Sequence, residues 1–343
     1  MKITTIGLDL AKSVFQVHGV DERGKVGLRK QLKRAQVLPF FANLSPCLIG
    51  MEACASAHYW ARKLQQFGHT AKLMPPQYVK PYVKSNKNDA ADAEAICEAV
   101  GRPNMRFVAV KTAEQQAILA VHRARQALVK ARTAQANQIR GLLAEFGVVL
   151  PQGLAQLGQR LPVMLEDGEN ELPGSFRQLL ARLGENLAHL QRQGEELERE
   201  IQRWHGDSEA SRRLAAIPGI GVLGASALVA TVGNAHSFAH GRQLAAWLGM
   251  VPKQASSGGK TTLLGMSKRG DSYLRTLLIH GARSVLRQVE CHPERADPWL
   301  RQLLARRPKN VVAVALANKN ARIAWALLAH GRDYQPQYRA ADA

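Results

Sequence analysis

Four acids in the N-terminal part of the chain, Asp9, Glu52, Asp89 and Asp92, stand where carboxylates do chemistry. Asp9 interrupts the apolar run Gly7-Leu8-Asp9-Leu10-Ala11-Lys12. A charge there is costly to bury unless it binds a metal or accepts several hydrogen bonds. Glu52 follows a short apolar stretch, at the strand end where sheet folds usually carry active groups. Asp89 and Asp92 are three residues apart at the start of a predicted helix, so both project from one face. Together the four could hold two divalent ions. Paired hard cations stabilise the attacking and leaving oxygens of an in-line phosphoryl transfer, and oxygen ligands suit Mg²⁺, with Mn²⁺ as a substitute. Each acid also has a plainer reading: Asp9 as an acid near a turn, Glu52 as a surface residue, Asp89 and Asp92 as favourable charges at a helix N-terminus.

The elements that must position these acids read as an α/β sheet. Lys2 to Leu10, Ser13 to Val20 and Lys25 to Leu32 are predicted strands, with Asp21-Glu22-Arg23-Gly24 as the turn between the second and third. Residues 34–44 are predicted helical, Cys47 to Met51 a strand ending at Glu52, Ala57 to Phe67 an amphipathic helix closed by Gly68, and Thr70 to Met74 a strand stopped by Pro75-Pro76. Asn88 opens a helix that runs to Val100. Three strands joined by short turns, then strands alternating with helices, describe a mixed sheet of the ribonuclease-H kind, although periodicity alone does not separate it from other α/β sheets.

After Thr112 the pattern changes to long helices. Ile118, Val121, Leu128, Ile139, Leu142 and Phe146 keep helical spacing, a link punctuated by proline and glycine follows from Pro151 to Gly174, and Leu187, Leu190, Leu197 and Ile201 mark a second long helix. An antiparallel hairpin serving as spacer or dimerisation arm is expected, an ordinary bundle core being the equal alternative. From Ser208 onward the chain reads as mostly helical, with one loop-rich insertion from Val251 to Gly265. The expected divisions are residues 1–112, 113–206 and 207–343.

Composition names the partner's charge. Lys and Arg number 47 against 27 acids, a formal charge of +20. Such an excess favours an extended polyanion, since each cation on a phosphate releases condensed counterions. Arg102 to Arg140 and Arg242 to Arg287 each carry eight Lys or Arg against one acid, whereas ordinary solvated faces mix both signs. Aromatic residues make up 6%, so base stacking is not expected to dominate affinity. A membrane partner is not expected, because the longest apolar run, Val311 to Ala317, is far short of the ~20 residues of a spanning helix. Asp9 and Lys12 break any signal-peptide pattern, and Cys47, Cys54, Cys97 and Cys291 have no C-x-x-C spacing, so a reducing cytoplasm is expected.

Ile217-Pro218-Gly219-Ile220-Gly221 has the look of a helix-hairpin-helix turn, in which Gly219 and Gly221 would expose backbone N–H groups to a phosphate; a tight turn without a ligand is the alternative. Gly259-Lys260-Thr261 invites comparison with a phosphate-binding loop, but that motif needs glycine where Gln254 stands and no strand is evident before it, so ATP binding is rejected. By itself Ser256-Ser257-Gly258-Gly259 reads as a flexible loop.

The runs Gly7 to Lys12, Met51-Glu52-Ala53-Cys54 and Lys87-Asn88-Asp89-Ala90-Ala91-Asp92-Ala93 resemble the DEDD transposases of insertion-sequence family 110. The stretch from Arg102 through Asn137-Gln138-Ile139-Arg140-Gly141 resembles the subgroup typified by insertion sequence 1111, and the likeness covers nearly the whole chain. The resemblance implies a RuvC-like nuclease domain with Asp9, Glu52, Asp89 and Asp92 as catalytic metal ligands. It implies a C-terminal transposase domain whose serine nucleophile matches Ser257, with Ser256 the next choice and Lys260, Lys268 and Arg269 as electrostatic help. Excision and insertion of a mobile element through paired strand cleavages would follow. The metal site and the serine would come from different subunits of a dimer or tetramer, on double-stranded DNA chosen through a structured noncoding RNA. Arg123, Arg125, Arg132 and Arg140, with the two glycines and Lys260, Lys268 and Arg269, are the expected nucleic-acid contacts. One departure is visible: after Glu52, where relatives often place glycine, this chain has Ala55 and Ser56. A Holliday-junction resolvase and a non-enzymatic nucleic-acid-binding protein are the rival expectations.

Overall fold

The computed structural model describes residues 2–84, 88–295 and 297–336; Lys87 of the Lys87–Ala93 run lies outside them. The chain divides into two compact units, residues 1–116 with 232–237, and residues 117–231 with 238–343.

The first unit is built on a five-stranded mixed sheet. In chain order it contains β1 (Thr5–Asp9), β2 (Val14–Val20), β3 (Val26–Lys33), α1 (Arg34–Ala42), β4 (Leu48–Glu52), α2 (Ala57–Gln66), β5 (Thr70–Met74), the short α3 (Pro76–Val79) and α4 (Asp89–Val100). The strands lie in the order β3-β2-β1-β4-β5. β1 pairs antiparallel with β2, and β2 with β3, whereas β1, β4 and β5 run parallel. This is the ribonuclease-H-like sheet that the strand and helix pattern predicts. Alternation along the strands sorts the two faces. Ile6 and Leu8 of β1, Phe15 and Val17 of β2, and Ile49 and Met51 of β4 bury against Val37 and Phe41 of α1 and Trp60, Ala61 and Leu64 of α2. The opposite face carries Gly7, Asp9, Gly50 and Glu52, and α4 covers it. β3 forms an edge lined by Arg29, Lys30 and Lys33, charges that discourage pairing with another strand.

The second unit is helical: α5 (Ala113–Ala144, which starts in the first unit), α6 (Leu154–Glu166), α7 (Gly174–Asp207), α8 (Glu209–Ala215), α9 (Val222–Val232), α10 (Gly241–Trp247), then β6 (Pro252–Ser257) and β7 (Lys260–Met266), then α11 (Ser272–Cys291), α12 (Pro298–Arg306) and α13 (Lys309–His330). α5 and α7 form an antiparallel pair. Arg125 meets Glu198 and Arg132 meets Gln191, seven residues on in α5 and seven back in α7. The Pro/Gly-punctuated link contains a helix, α6, that its composition did not predict. Leu157 and Leu161 bury against Ile139, Leu143, Leu180 and Leu187, and Gly184 leaves room for Leu161. Burial of two leucines one turn apart outweighs the helix-breaking tendency of Pro162.

α13 has the length and mean hydropathy, 1.3, of a membrane span. Within the bundle it packs against α10, α11 and α12, and its buried Asn320 donates to the Pro218 carbonyl at 2.8 Å. The predicted loop-rich insertion is instead the β6–β7 hairpin, with Ser257 opposite Lys260. Gly258 and Gly259 take φ of +53° and +79°, the paired positive angles that let a two-residue turn follow strand twist. Sequence reading missed the hairpin because its residues lack the alternation of a half-buried strand: all of β6 is exposed, and in β7 the apolar Leu263 and Leu264 are adjacent and exposed. A strand therefore does precede Gly258-Gly259, but a second strand follows it, so the ATP-loop reading still fails.

Candidate metal centre and nucleic-acid interface

Two glycines decide where α4 lies. Gly7 and Gly50 are register partners on the parallel strands β1 and β4. A Cβ on Gly7 would stand 2.0 Å from the Ala93 carbonyl oxygen and 2.4 Å from the Cys97 nitrogen, and one on Gly50 2.7 Å from Val100 Cβ. The helix therefore rests directly on strand backbone. It runs opposite to β1, with the Cys97 thiol 3.7 Å from the Thr5 carbonyl oxygen. From Gly7 to Asp9 the strand advances about 6.6 Å on one face, and from Ala93 back to Asp89 the helix advances about 6 Å. The matched steps bring the helix N-terminus over the end of β1.

Asp9, Asp89 and Asp92 meet there, with one carboxylate oxygen from each within 4.8 Å of the others. Asp9 and Asp92 are half-buried and Asp89 is exposed. The task of capping α4 falls to Asn88, whose side-chain oxygen accepts from the Ala91 N–H at 2.8 Å, so the two aspartates are not required as caps. Unit charges this close repel by about 1 kcal/mol in water and about 3 kcal/mol at an effective dielectric of 20. A bound cation would reverse that balance, and an all-oxygen donor set fits a hard divalent ion.

Glu52 lies outside that group of three. The β1–β4 ladder pairs Thr5, Ile6 and Gly7 with Leu48, Ile49 and Gly50 and ends there; its register, continued two residues, sets Glu52 level with Asp9 on the neighbouring strand and the α4 face. The exposed Cys54 senses both. Burial pushes its thiol up from the ordinary range, and the Glu52 and Asp9 charges push it further. Between Glu52 and α2, Ser56 takes a left-handed φ of +67°, so the missing glycine of the departure noted after Glu52 falls in a strained turn. Cys54 and the two packing glycines were missed as parts of the site. Glycine inside a strand is a signal of close backbone approach, and Gly7 carried it.

In the helical unit the structure separates the expected contacts. Arg123 is exposed on α5. Arg125 is committed within the helix pair, its Nε 2.7 Å from Glu198 Oε1, and Arg132 donates to Gln191. Arg140 donates to Asn137 at 2.7 Å on its own helix. For Arg125 and Arg132 the sequence could not show the commitment, because their partners Glu198 and Gln191 lie on α7, 73 and 59 residues later.

The helix-hairpin-helix residues join α8 to α9. Gly219, at φ +89°, abuts Gly281 of α11, where a Cβ would come within 3.0 Å of the Gly281 carbonyl oxygen, so close packing explains this glycine. Gly221 has open space around its Cα. A buried relay fixes α9: Ser226 Oγ donates to the Val222 carbonyl at 2.7 Å and so must accept from His122 Nε2 at 3.1 Å. His122 Nδ1 is then the acceptor for the Tyr273 hydroxyl at 3.0 Å. Burial holds the His122 imidazole down to about 4.

Ser257, Lys260, Lys268 and Arg269 are all exposed. Lys268 and Arg269 sit at the root of the β6–β7 hairpin. A Cβ on Gly249 would stand 2.7 Å from the Arg269 nitrogen, one on Gly270 2.2 Å from the Trp247 carbonyl oxygen, and Arg275 donates to the Leu248 and Gly270 carbonyls at 3.2 Å each. The hairpin thus projects from a tightly packed base. Ser256 Oγ accepts from the Gln254 amide at 2.9 Å, whereas Ser257 faces Lys260 across the turn.

Comparison with known proteins gives two family matches. Residues 211–305 match the family described as "Transposase IS116/IS110/IS902 family", and residues 6–147 match the DEDD transposase family of the IS110 type. A "Probable family 20 transposase" of Pseudomonas aeruginosa is 54% identical over 98% of this chain and 100% of its own length. The "Transposase for insertion sequence element IS1328" of Yersinia enterocolitica is 46% identical over 96% of this chain and 98% of its own. The "Transposase for insertion sequence element IS1111A" of Coxiella burnetii is 45% identical over 97% and 92%.

Proposed function

Because the chain belongs to the IS116/IS110/IS902 family of transposases and so acts on DNA, we propose that it excises and inserts a mobile element by metal-dependent strand cleavage in a RuvC-like nuclease domain. The observation that carries this reading is the convergence of Asp9, Asp89 and Asp92 at the end of β1, with Glu52 on the adjoining strand. These four acids would hold Mg²⁺, as one ion or two, with Mn²⁺ as a substitute. Such a cation supplies charge neutralisation at the scissile phosphate. Asp89→Asn should abolish cleavage of element-end DNA in Mg²⁺ while leaving salt-sensitive binding within about twofold. Equal cleavage by variant and native protein would refute the metal assignment.

In the same reading Ser257 is the nucleophile. Its oxygen forms a bond to phosphorus as the bond from phosphorus to a deoxyribose oxygen breaks, and the serine proton ends on the released deoxyribose hydroxyl. Attack by a second DNA hydroxyl reverses the bond and frees the serine, which exchanges strands without loss of the phosphodiester. The Lys260 ammonium across the turn offers the phosphate a counter-charge. Ser257→Ala should lose any protein–DNA adduct that survives denaturation; an adduct that persists moves the nucleophile to Ser256, and no adduct with native protein favours a hydrolytic resolvase.

The division of labour follows the expected segments, with residues 1–112 as nuclease, 113–206 as spacer or dimerisation arm and 207–343 as the serine-bearing domain. Arg123, Lys260, Lys268 and Arg269 are exposed cations offered to nucleic acid, with Gly221, just before α9, offering its backbone N–H. A homo-oligomer, and a structured noncoding RNA as guide, complete the proposal; both rest on the family resemblance.

A further inference from the structure

A cleft of about 410 Å³ opens on the helical unit between the start of α10 and the last turns of α13. His240, Gly241 and Arg242 line one side, and Arg322, Trp325 and Ala326 the other. Its size falls within the ~300–1,000 Å³ of small-ligand sites. Both arginines are exposed, and among the described residues no acid lines the cleft and no ion pair engages either guanidinium. The wall between them is apolar and rigid. A Cβ on Gly241 would lie 2.9 Å from Arg322 Cα, so the two helices touch backbone to backbone. The Trp325 indole is pinned, its Nε1–H donating to the Phe238 carbonyl at 3.1 Å and its ring edge-on to His330 at 5.5 Å. His240 Nδ1 accepts from the Gln243 N–H at 3.2 Å, which leaves the other ring nitrogen as a donor.

We infer that this cleft binds one unpaired nucleotide of a single-stranded nucleic-acid segment. Arg242 and Arg322 take the flanking phosphates, and the base lies against the wall formed by Trp325 and Gly241. A preformed apolar slot between two exposed guanidiniums and beside an indole is complementary to a nucleotide, which joins a flat apolar base to an anionic backbone. A base paired in a duplex cannot present its face to such a slot, so the occupant is unpaired. An RNA loop and a DNA strand freed from its complement share this chemistry. The inference rests on the chain's being a nucleic-acid enzyme but not on the acidic cluster or Ser257.

The test uses the full chain and fluorescence anisotropy with a labelled 12-nucleotide DNA, an RNA of the same sequence and the matching DNA duplex, at several salt concentrations. The double variant R242A/R322A, with thermal unfolding checked against native protein, should bind single strands about tenfold or more weakly. Its logarithmic salt slope should fall by about 1.4, two contacts at ~0.7 each for single strands. Duplex affinity should stay within about threefold. Trp325→Leu should weaken single-strand binding by at least about fivefold, the lower end of a base–aromatic contact. Loss confined to RNA assigns the occupant to an RNA loop, loss confined to DNA to a displaced strand, and loss of both to either source. Single-strand affinity unchanged within twofold in the double variant, or duplex affinity falling as far as single-strand affinity, would overturn the inference. Asp89→Asn run in parallel separates the two readings, since it should stop cleavage and leave this binding intact.

Discussion

Gly7→Ala is the substitution that most directly tests how the acidic cluster is assembled. The added Cβ would stand 2.0 Å from the Ala93 carbonyl oxygen and 2.4 Å from the Cys97 nitrogen, both backbone atoms that no rotamer change can move aside. Ordinary contact begins at 3.4 Å, so the first helical turns must lift by about 1.4 Å. That displacement, centred on Ala93, falls next to Asp92, one turn from Asp89 and two residues from Asp9, where it separates the carboxylates. A misplacement of about 1 Å at a reacting centre costs roughly 100-fold in rate, and overpacking a close interface costs about 1–3 kcal/mol. The variant should therefore unfold cooperatively at lower urea yet remain folded at room temperature, while cleavage of element-end DNA in Mg²⁺ falls by about 100-fold. Gly50→Ala is the control. Its Cβ would press mainly on Val100 Cβ at 2.7 Å, at the far end of α4 from the acids. It should lose comparable stability and much less cleavage. If both variants lose cleavage in proportion to stability, or Gly7→Ala cleaves within threefold of native protein, the argument that this glycine sets the carboxylate geometry is wrong.

Three further outcomes follow from particular contacts. The buried His122 titrates near 4 in the folded chain and near 6.5 when unfolded, so the unfolded state takes up the proton first; stability is full above pH 6.5 and falls as the pH drops toward 4, by at most about 3 kcal/mol. Urea unfolding against pH, compared with His122→Phe, should show the steeper decline in native protein, and parallel curves would refute the burial argument. Arg125→Ala should lower stability by about 1 kcal/mol through its lost partner Glu198 and leave the salt slope of DNA binding unchanged, whereas Arg123→Ala should lower that slope by about 0.9 with no stability cost; the reverse pattern would return Arg125 to the DNA surface. Ser56→Gly should raise the unfolding free energy by about 0.5–1 kcal/mol by relieving the left-handed backbone at φ +67°, and a lower denaturation midpoint would show that the serine side chain stabilises the turn.

Sequence reading succeeded where the information is local. The five strands of the sheet and α4 announce themselves through apolar alternation, turn residues and the Asn88 cap, all contained within a few neighbouring positions. It failed where tertiary burial overrides local preference, as when Leu157 and Leu161 make a helix of a proline-containing link. It failed also where exposed residues without alternation form strands, as in the β6–β7 hairpin, whose one strong local signal was Gly258-Gly259.

Residue type alone determined that this chain carries a large cationic excess, a mixed α/β order of elements and acids at element ends, because charge, periodicity and turn chemistry are properties of short stretches. Only the tertiary structure decided that Asp9 meets Asp89 and Asp92 while Glu52 stands one strand away, that Arg125 and Arg132 turn inward to α7, and that Arg242 and Arg322 flank one cleft. Each of these joins positions roughly 40 to 80 residues apart. Their meeting depends on backbone contacts such as Gly7 on Ala93 and Gly241 on Arg322, where the absence of a side chain sets the distance. A glycine read in one dimension shows that something comes close, but not what.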